Sequence, residues 1–151
     1  MDDHRWMRRA IELADRCPAS TSAFSVGAVI VDGDGIELAN GWSRDCDPQV
    51  HAEESALQRV DSPARLRTAT MYSTLEPCSK RAGRPHATCT GLIIAAGIPR
   101  VVIAWREPDL FVTCEGVALL IAAGVEVVEL PGHAAAARAA NAHLAKWDAE
   151  G

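Results

Sequence analysis

The sequence predicts an α/β protein of one domain, residues 1–151, folded as a three-layer α/β/α sandwich around a five-stranded mixed sheet. Three observations carry this prediction. A continuous apolar run, Val26–Val31, meets an Asp-Gly-Asp-Gly turn and then an alternating run, which reads as a hairpin. Later, one helix–Gly–strand pattern occurs twice, and strands alternating with helices imply parallel connections. Finally, 151 residues are enough for one proper core and too few for two.

The elements follow in order. Met7, Ala10, Ile11 and Ala14 recur at helical spacing, so residues 3–16 are expected to form an amphipathic helix ended near Pro18. Val26–Val31 is the first strand, buried on both faces. Asp32–Gly35 is the turn, and Ile36, Leu38, Asn40 and Trp42 alternate on the returning strand. A helix begins at His51 and carries Ala56, Leu57 and Val60 inward. Ala69–Leu75 is the third strand. The doubled pattern is Leu92–Gly97 before Val101–Trp105, and Leu119–Gly124 before Val125–Leu130, with each Gly as a helix C-cap. The alanine-rich stretch His133–Trp147 reads as one last helix, packed on the domain or on a neighbouring subunit.

Composition narrows the partners. A net charge of -5 argues against a broad nucleic-acid surface, which is normally basic. A small phosphorylated ligand needs only a local basic cluster and stays open. The start Met1-Asp2-Asp3-His4-Arg5 lacks the apolar core of an export signal, and no stretch approaches membrane-spanning length, so a cytoplasmic location is expected. Five cysteines, an odd count, argue against a disulfide framework and for metal binding or catalysis.

The chemistry gathers in His51-Ala52-Glu53, Glu76-Pro77-Cys78 and Cys89. A histidine and two thiolates can hold a zinc ion and leave its fourth position open to water. Residues two apart on a regular helix point to nearly opposite sides, so His51 and Glu53 serve one site only if His51 sits at the helix start. The preceding Asp47-Pro48 supports a start there. Cys78 follows a strand and Cys89 stands where the next helix should open, a setting that lowers a thiol pKa. Glu53 is then a candidate proton carrier. The rival is a closed structural zinc site with Cys46 as fourth ligand, which makes the protein a folding or interaction module.

The H-x-E and P-C arrangement is the signature of zinc-dependent nucleobase deaminases. With Met7–Ala14, Val26–Asp34, Gly41-Trp42, Thr74–Ser79, Ala95–Val102 and Ala122–Val127, the chain resembles the cytidine and deoxycytidylate deaminase superfamily. Within it, the chain is most similar to the deaminase half of the bifunctional riboflavin-biosynthesis deaminase/reductase. That resemblance implies the three-layer fold, one zinc per chain on His51, Cys78 and Cys89, Glu53 as proton shuttle, and a homo-oligomer. It implies hydrolytic removal of an amino group from a small heterocycle, with a riboflavin-pathway diaminopyrimidine nucleotide favoured. Cytidine, deoxycytidylate or a purine base is the alternative.

Departures from the family pattern mark the substrate contacts. Ala23 stands where the riboflavin enzymes have a substrate-holding asparagine, and Ser22–Gly27 instead looks like the free cytidine deaminase pattern, with Phe24 a candidate contact to base or sugar. Ten residues separate Cys78 from Cys89, against two in the cytidine and transfer-RNA branches. Lys80, Arg81, Arg84 and His86 on that loop form either a solvated stretch or a clamp for a phosphate. Arg106 and Asp109 follow the fourth strand and are candidates to line the same mouth. Trp42 is either a stacking wall or a packing residue.

Overall fold

The computed structural model describes residues 2–20, 23–80, 88–106 and 115–144. Its sheet has the order β2-β1-β3-β4-β5, built from β1 (Gly27–Val31), β2 (Glu37–Trp42), β3 (Thr70–Leu75), β4 (Arg100–Trp105) and β5 (Glu126–Glu129). β1 runs antiparallel to β2 and β3, whereas β3, β4 and β5 are parallel. The expected mixed five-stranded sheet is therefore present.

Side chains alternate across the sheet and divide the core in two. Ala28, Ile30, Met71, Val101 and Ile103 face α2 (Ala52–Gln58), α3 (Cys89–Ala96) and α4 (Gly116–Ala122). Val29, Val31, Tyr72, Val102 and Ala104 face α1 (Asp3–Ala14) and α5 (Ala134–Ala139). The three layers follow from that alternation. β1 is buried at every position, as a strand covered on both faces must be.

Local chemistry sets the boundaries. Asp2 caps α1 by accepting the Arg5 N–H, and Trp6, Met7, Ala10, Leu13 and Ala14 form its buried stripe. The helix stops at Ala14, two residues before the expected end, and passes into a turn in which the Arg16 and Cys17 N–H groups donate to the Leu13 and Ala14 carbonyls at 3.0 and 3.3 Å. Arg100 grips the Asp3 carboxylate at 2.9 and 2.7 Å and Tyr72 donates to it at 2.6 Å, tying α1 to the sheet. The Arg100 hydrogen bonds hold the Asp3 pKa down at about 2. At the hairpin, Asp32 Oδ1 accepts the N–H groups of Asp34 and Ile36, and Gly35 takes a φ of 82°. Gly97 and Gly124, at φ 78° and 88°, end α3 and α4 as left-handed caps, as the doubled pattern predicts.

Two features depart from the sequence reading. A 3-10 turn, Pro63–Thr68, enters β3 where no element is expected; Pro63 occupies its first turn, where the missing N–H costs nothing. The predicted final helix His133–Trp147 is instead a 3-10 turn, Pro131–His133, followed by the short α5, with Asn141 in a turn beyond it. The side chain of Asn141 bonds to main chain elsewhere in the fold, and a continuing helix gives way to that contact. Residues 145–147 of the prediction lie outside the described residues. No helix of the described residues is long and apolar enough to cross a membrane.

Gly41 decides how closely α2 lies on β2. A Cβ there would stand 2.7 Å from the Ala52 carbonyl oxygen and 2.7 Å from the Ala56 nitrogen, both of them backbone. Because α2 opens at His51, this contact also places the metal-binding motif. Gly41→Ala is expected to lower stability by about 1–3 kcal/mol through overpacking, measured by urea denaturation, and to weaken metal retention in parallel.

Candidate metal centre

β3 delivers the first half of the site. Past Leu75 the chain continues alongside β4, with the Glu76 N–H donating to the Trp105 carbonyl at 2.8 Å. Pro77 then turns it towards α3. The Cys78 carbonyl accepts the Thr90 N–H at 3.1 Å, and the Thr90 hydroxyl donates to the Pro77 carbonyl at 3.2 Å. On the other side, Glu76 Oε2 accepts the Val117 N–H at 2.9 Å, in the first turn of α4. Gly116 allows that approach, since a Cβ there would stand only 2.1 Å from the Pro77 oxygen. The Glu-Pro-Cys segment is thus knitted between two helix starts.

Cys89 is the first residue of α3, fully buried, behind a Thr88 cap whose hydroxyl accepts the Gly91 N–H. Its own N–H donates to Cys78 Sγ at 3.2 Å. Hydrogen bonding with Cys89, and after it with His51, pulls the Cys78 pKa well below the ordinary thiol range, against the opposing effect of burial. Cys78 is therefore available as a thiolate, the form that binds metal.

His51 supplies the third donor. It is the N-cap of α2, in extended backbone with φ -91° and ψ 158°, so the expected non-helical start is met. Its N–H donates to Glu54 Oε1 at 3.2 Å, and its carbonyl accepts the Ser55 N–H at 2.9 Å. Asp45 braces the incoming loop by accepting from the Ser55 hydroxyl at 2.5 Å and pairing with Arg59 at 2.9 Å.

These elements bring His51 Nδ1 to 3.5 Å from Cys78 Sγ and 3.4 Å from Cys89 Sγ. Tetrahedral zinc with bonds of about 2.3 Å to sulfur and 2.0 Å to nitrogen needs a nitrogen–sulfur separation of about 3.5 Å. The donor set fits the ion in both chemistry and spacing. Among the described residues these three form the group able to hold a metal, and Cys46 is exposed and not part of it. Glu53 is buried in the first turn of α2, two residues beyond His51.

Residues 1–105 match the family described as the cytidine and deoxycytidylate deaminase zinc-binding region. The chain belongs to the cytidine and deoxycytidylate deaminase family. Its cofactor is one zinc ion per chain. Over 127 residues the chain is 44% identical to a Schizosaccharomyces pombe protein named diaminohydroxyphosphoribosylamino-pyrimidine deaminase, covering 82% of this chain and 31% of that protein. The crystal form 1 of RibD from Acinetobacter baumannii superposes with a TM-score of 0.80 at 35% identity, covering 96% of this chain and 39% of the other. The deaminase/reductase from Thermotoga maritima superposes with a TM-score of 0.79 at 34% identity, covering 91% and 38%. The chain spans about a third of the length of the curated relatives it matches.

The remaining candidates from the sequence fall in several places. Phe24 packs edge-on against Trp105, with ring centroids 5.6 Å apart, beside the strand end that leads to Cys78. Trp42 belongs to the α1 side of the sheet, and the guanidinium groups of Arg16 and Arg59 each lie 5.5 Å from its ring centre. Arg106 makes a two-pronged pair with Glu129 at 2.8 and 3.1 Å. Lys80 is exposed, two residues past Cys78. Arg81, Arg84, His86 and Asp109 lie outside the described residues. The sequence reading missed Glu76 as the cap of α4 and Gly116 as its close-packing partner. The only available signal was their position next to Pro77 and at a helix start.

His51→Ala is expected to lose the zinc, whereas Cys46→Ser should retain one zinc per chain by elemental analysis. Loss of zinc in Cys46→Ser would instead support a closed four-ligand site.

Proposed function

We propose that this deaminase hydrolyses an amino group on a pyrimidine-type ring to a carbonyl with release of ammonia, and that its substrate is a riboflavin-pathway diaminopyrimidine nucleotide. The observation that carries the reading is Glu53: a buried carboxyl group in the first turn of the helix that His51 caps, beside a three-donor metal group that does not include it. The name of the Schizosaccharomyces pombe relative supports the substrate class.

Bound zinc supplies an activated water by lowering its pKa towards neutrality. His51, Cys78 and Cys89 hold the ion, with the Cys89 N–H stabilising the Cys78 thiolate. Glu53 takes a proton from the attacking water and returns protons to the ring nitrogen and the leaving amine. The C–N bond breaks as the amine gains its proton, and the ring carbon keeps the oxygen. Burial of Glu53 keeps bulk water from competing for these protons.

The phosphate of such a substrate is assigned to Lys80 and Arg84 of the basic stretch between the two cysteines, with Arg106 and Asp109 proposed as further substrate contacts. Phe24, beside Trp105, is the proposed wall for the ring. Cytidine or deoxycytidylate is the second reading, favoured by the Ala23-Phe24-Ser25 pattern. The protein is also proposed to be a homo-oligomer. α3 and α4 leave Ile94, Leu119 and Ile121 exposed, an apolar surface of the kind that subunits cover.

Ammonia release over a panel of diaminopyrimidine nucleotide, cytidine, deoxycytidylate and purine compounds, each with and without phosphate, tests the substrate. Turnover of the diaminopyrimidine nucleotide well above its dephosphorylated form is the expected outcome. On whichever compound is turned over, Glu53→Ala should keep zinc and lose ~10²- to 10⁴-fold in rate; near-normal turnover would sink the mechanism. Light scattering is expected to return a dimer or larger assembly, and a monomer would end the oligomer reading.

A further inference from the structure

The segment Ala23–Ser25 lies at the ligand-bearing end of the sheet. Ala28 of β1 pairs with Ser73 of β3, and the Gly27 N–H donates to Thr74 Oγ1 at 3.2 Å. The residues before Gly27 therefore run back along the stretch that leads from Leu75 to Cys78. Phe24 sits on Trp105, whose carbonyl holds the Glu76 N–H.

This segment has no regular secondary structure, and its main chain is held by side chains from two distant places. Asn141 is 1% exposed and acts as a substitute strand: its Oδ1 accepts the Ser25 N–H at 2.6 Å and its Nδ2 donates to the Ser25 carbonyl at 3.1 Å. The same Nδ2 reaches the Ala137 carbonyl at 3.3 Å, and His143 Nε2 lies 3.3 Å from the Ala23 carbonyl. From the loop after β2, the Arg44 guanidinium donates to the carbonyls of Pro18 and Phe24 at 2.7 and 3.1 Å and to Ser25 Oγ at 3.1 Å. Arg44 has a φ of 61°, a conformation that non-glycine residues adopt only under constraint. Its own N–H donates to the carbonyl of Val50, the residue before His51.

We propose that Asn141, with Arg44 as a second anchor, is a positioning residue that fixes Ala23–Ser25 as a preset wall for the substrate ring. The inference rests on the deaminase reading above. A loop held in one shape before the ligand arrives spares the ordering cost of binding. Loss of an anchor should therefore weaken substrate binding and leave the metal and the proton transfer in place. Neither anchor touches a metal donor side chain in the contacts described, so a KM effect without a matching kcat effect separates this role from general structural damage.

The test is hydrogen exchange and kinetics on the zinc-loaded full chain. In Asn141→Ala, amides of the 23–26 segment should exchange about tenfold faster or more, while peptides carrying His51, Cys78 and Cys89 keep their protection. KM should rise by about tenfold or more with kcat within about threefold and zinc unchanged, and Asn141→Asp, which keeps the acceptor for Ser25, should recover part of the loss. Should Asn141→Ala not fold, Arg44→Gly serves, because glycine suits the positive φ while the guanidinium contacts are lost; the same exchange and KM changes are expected. Unchanged exchange in this segment, or KM moving no more than kcat, overturns the proposal. Failure of the wild-type protein to turn over the diaminopyrimidine nucleotide is a separate result against the substrate reading, and KM is then compared on whichever panel compound is deaminated.

Discussion

Holding two sulfurs each within 3.5 Å of one imidazole nitrogen, with one sulfur as thiolate, is the demand that the rest of the structure serves. No single element can meet it, because the three donors come from a helix N-cap, a strand exit and the first turn of another helix. What meets it is the parallel pair β3 and β4, from whose ends the chain passes to α3 and α4. At the start of α3 the Cys89 N–H donates to the Cys78 sulfur, so the fold supplies partial positive charge where an anionic ligand must sit.

Close packing makes that arrangement rigid. Gly41 lets α2 touch β2 through backbone, and Gly116 does the same for α4 on Pro77. Each removes a side chain that would otherwise act as a spacer, and each lies next to a functional segment. Glu76 adds a buried carboxylate that ties the first turn of α4 to the strand exit. The site thus depends on contacts made by residues that perform no chemistry. Their shared feature is short distance, which a two-state packed core transmits without slack.

Local patterns in the chain were enough for the metal donors, the buried glutamate, the hairpin and the doubled helix–Gly–strand units. In each case the determinant is local: a period of two or 3.6, a turn residue with positive φ, or a motif whose spacing mirrors the chemistry. His51 at a helix start was legible because Asp47-Pro48 precedes it and because Glu53 otherwise points away. The final helix was misjudged for the opposite reason. An alanine-rich stretch has high helix propensity along its whole length, and nothing local reveals that Asn141 bonds to a residue 116 positions away.

The sequence by itself therefore determined the sheet, the order of its elements and the residues that come together as a group able to hold a metal, since periodicity and motif spacing are properties of neighbouring residues. Only the tertiary structure decided that Trp42 packs on the α1 side with two arginines near its ring and that Arg106 is paired with Glu129. It also decided that Arg44 and Asn141 both hold the Ala23–Ser25 segment. These depend on which surfaces meet when the layers close, and a hydrogen bond between residues a hundred positions apart leaves no periodic trace in the chain.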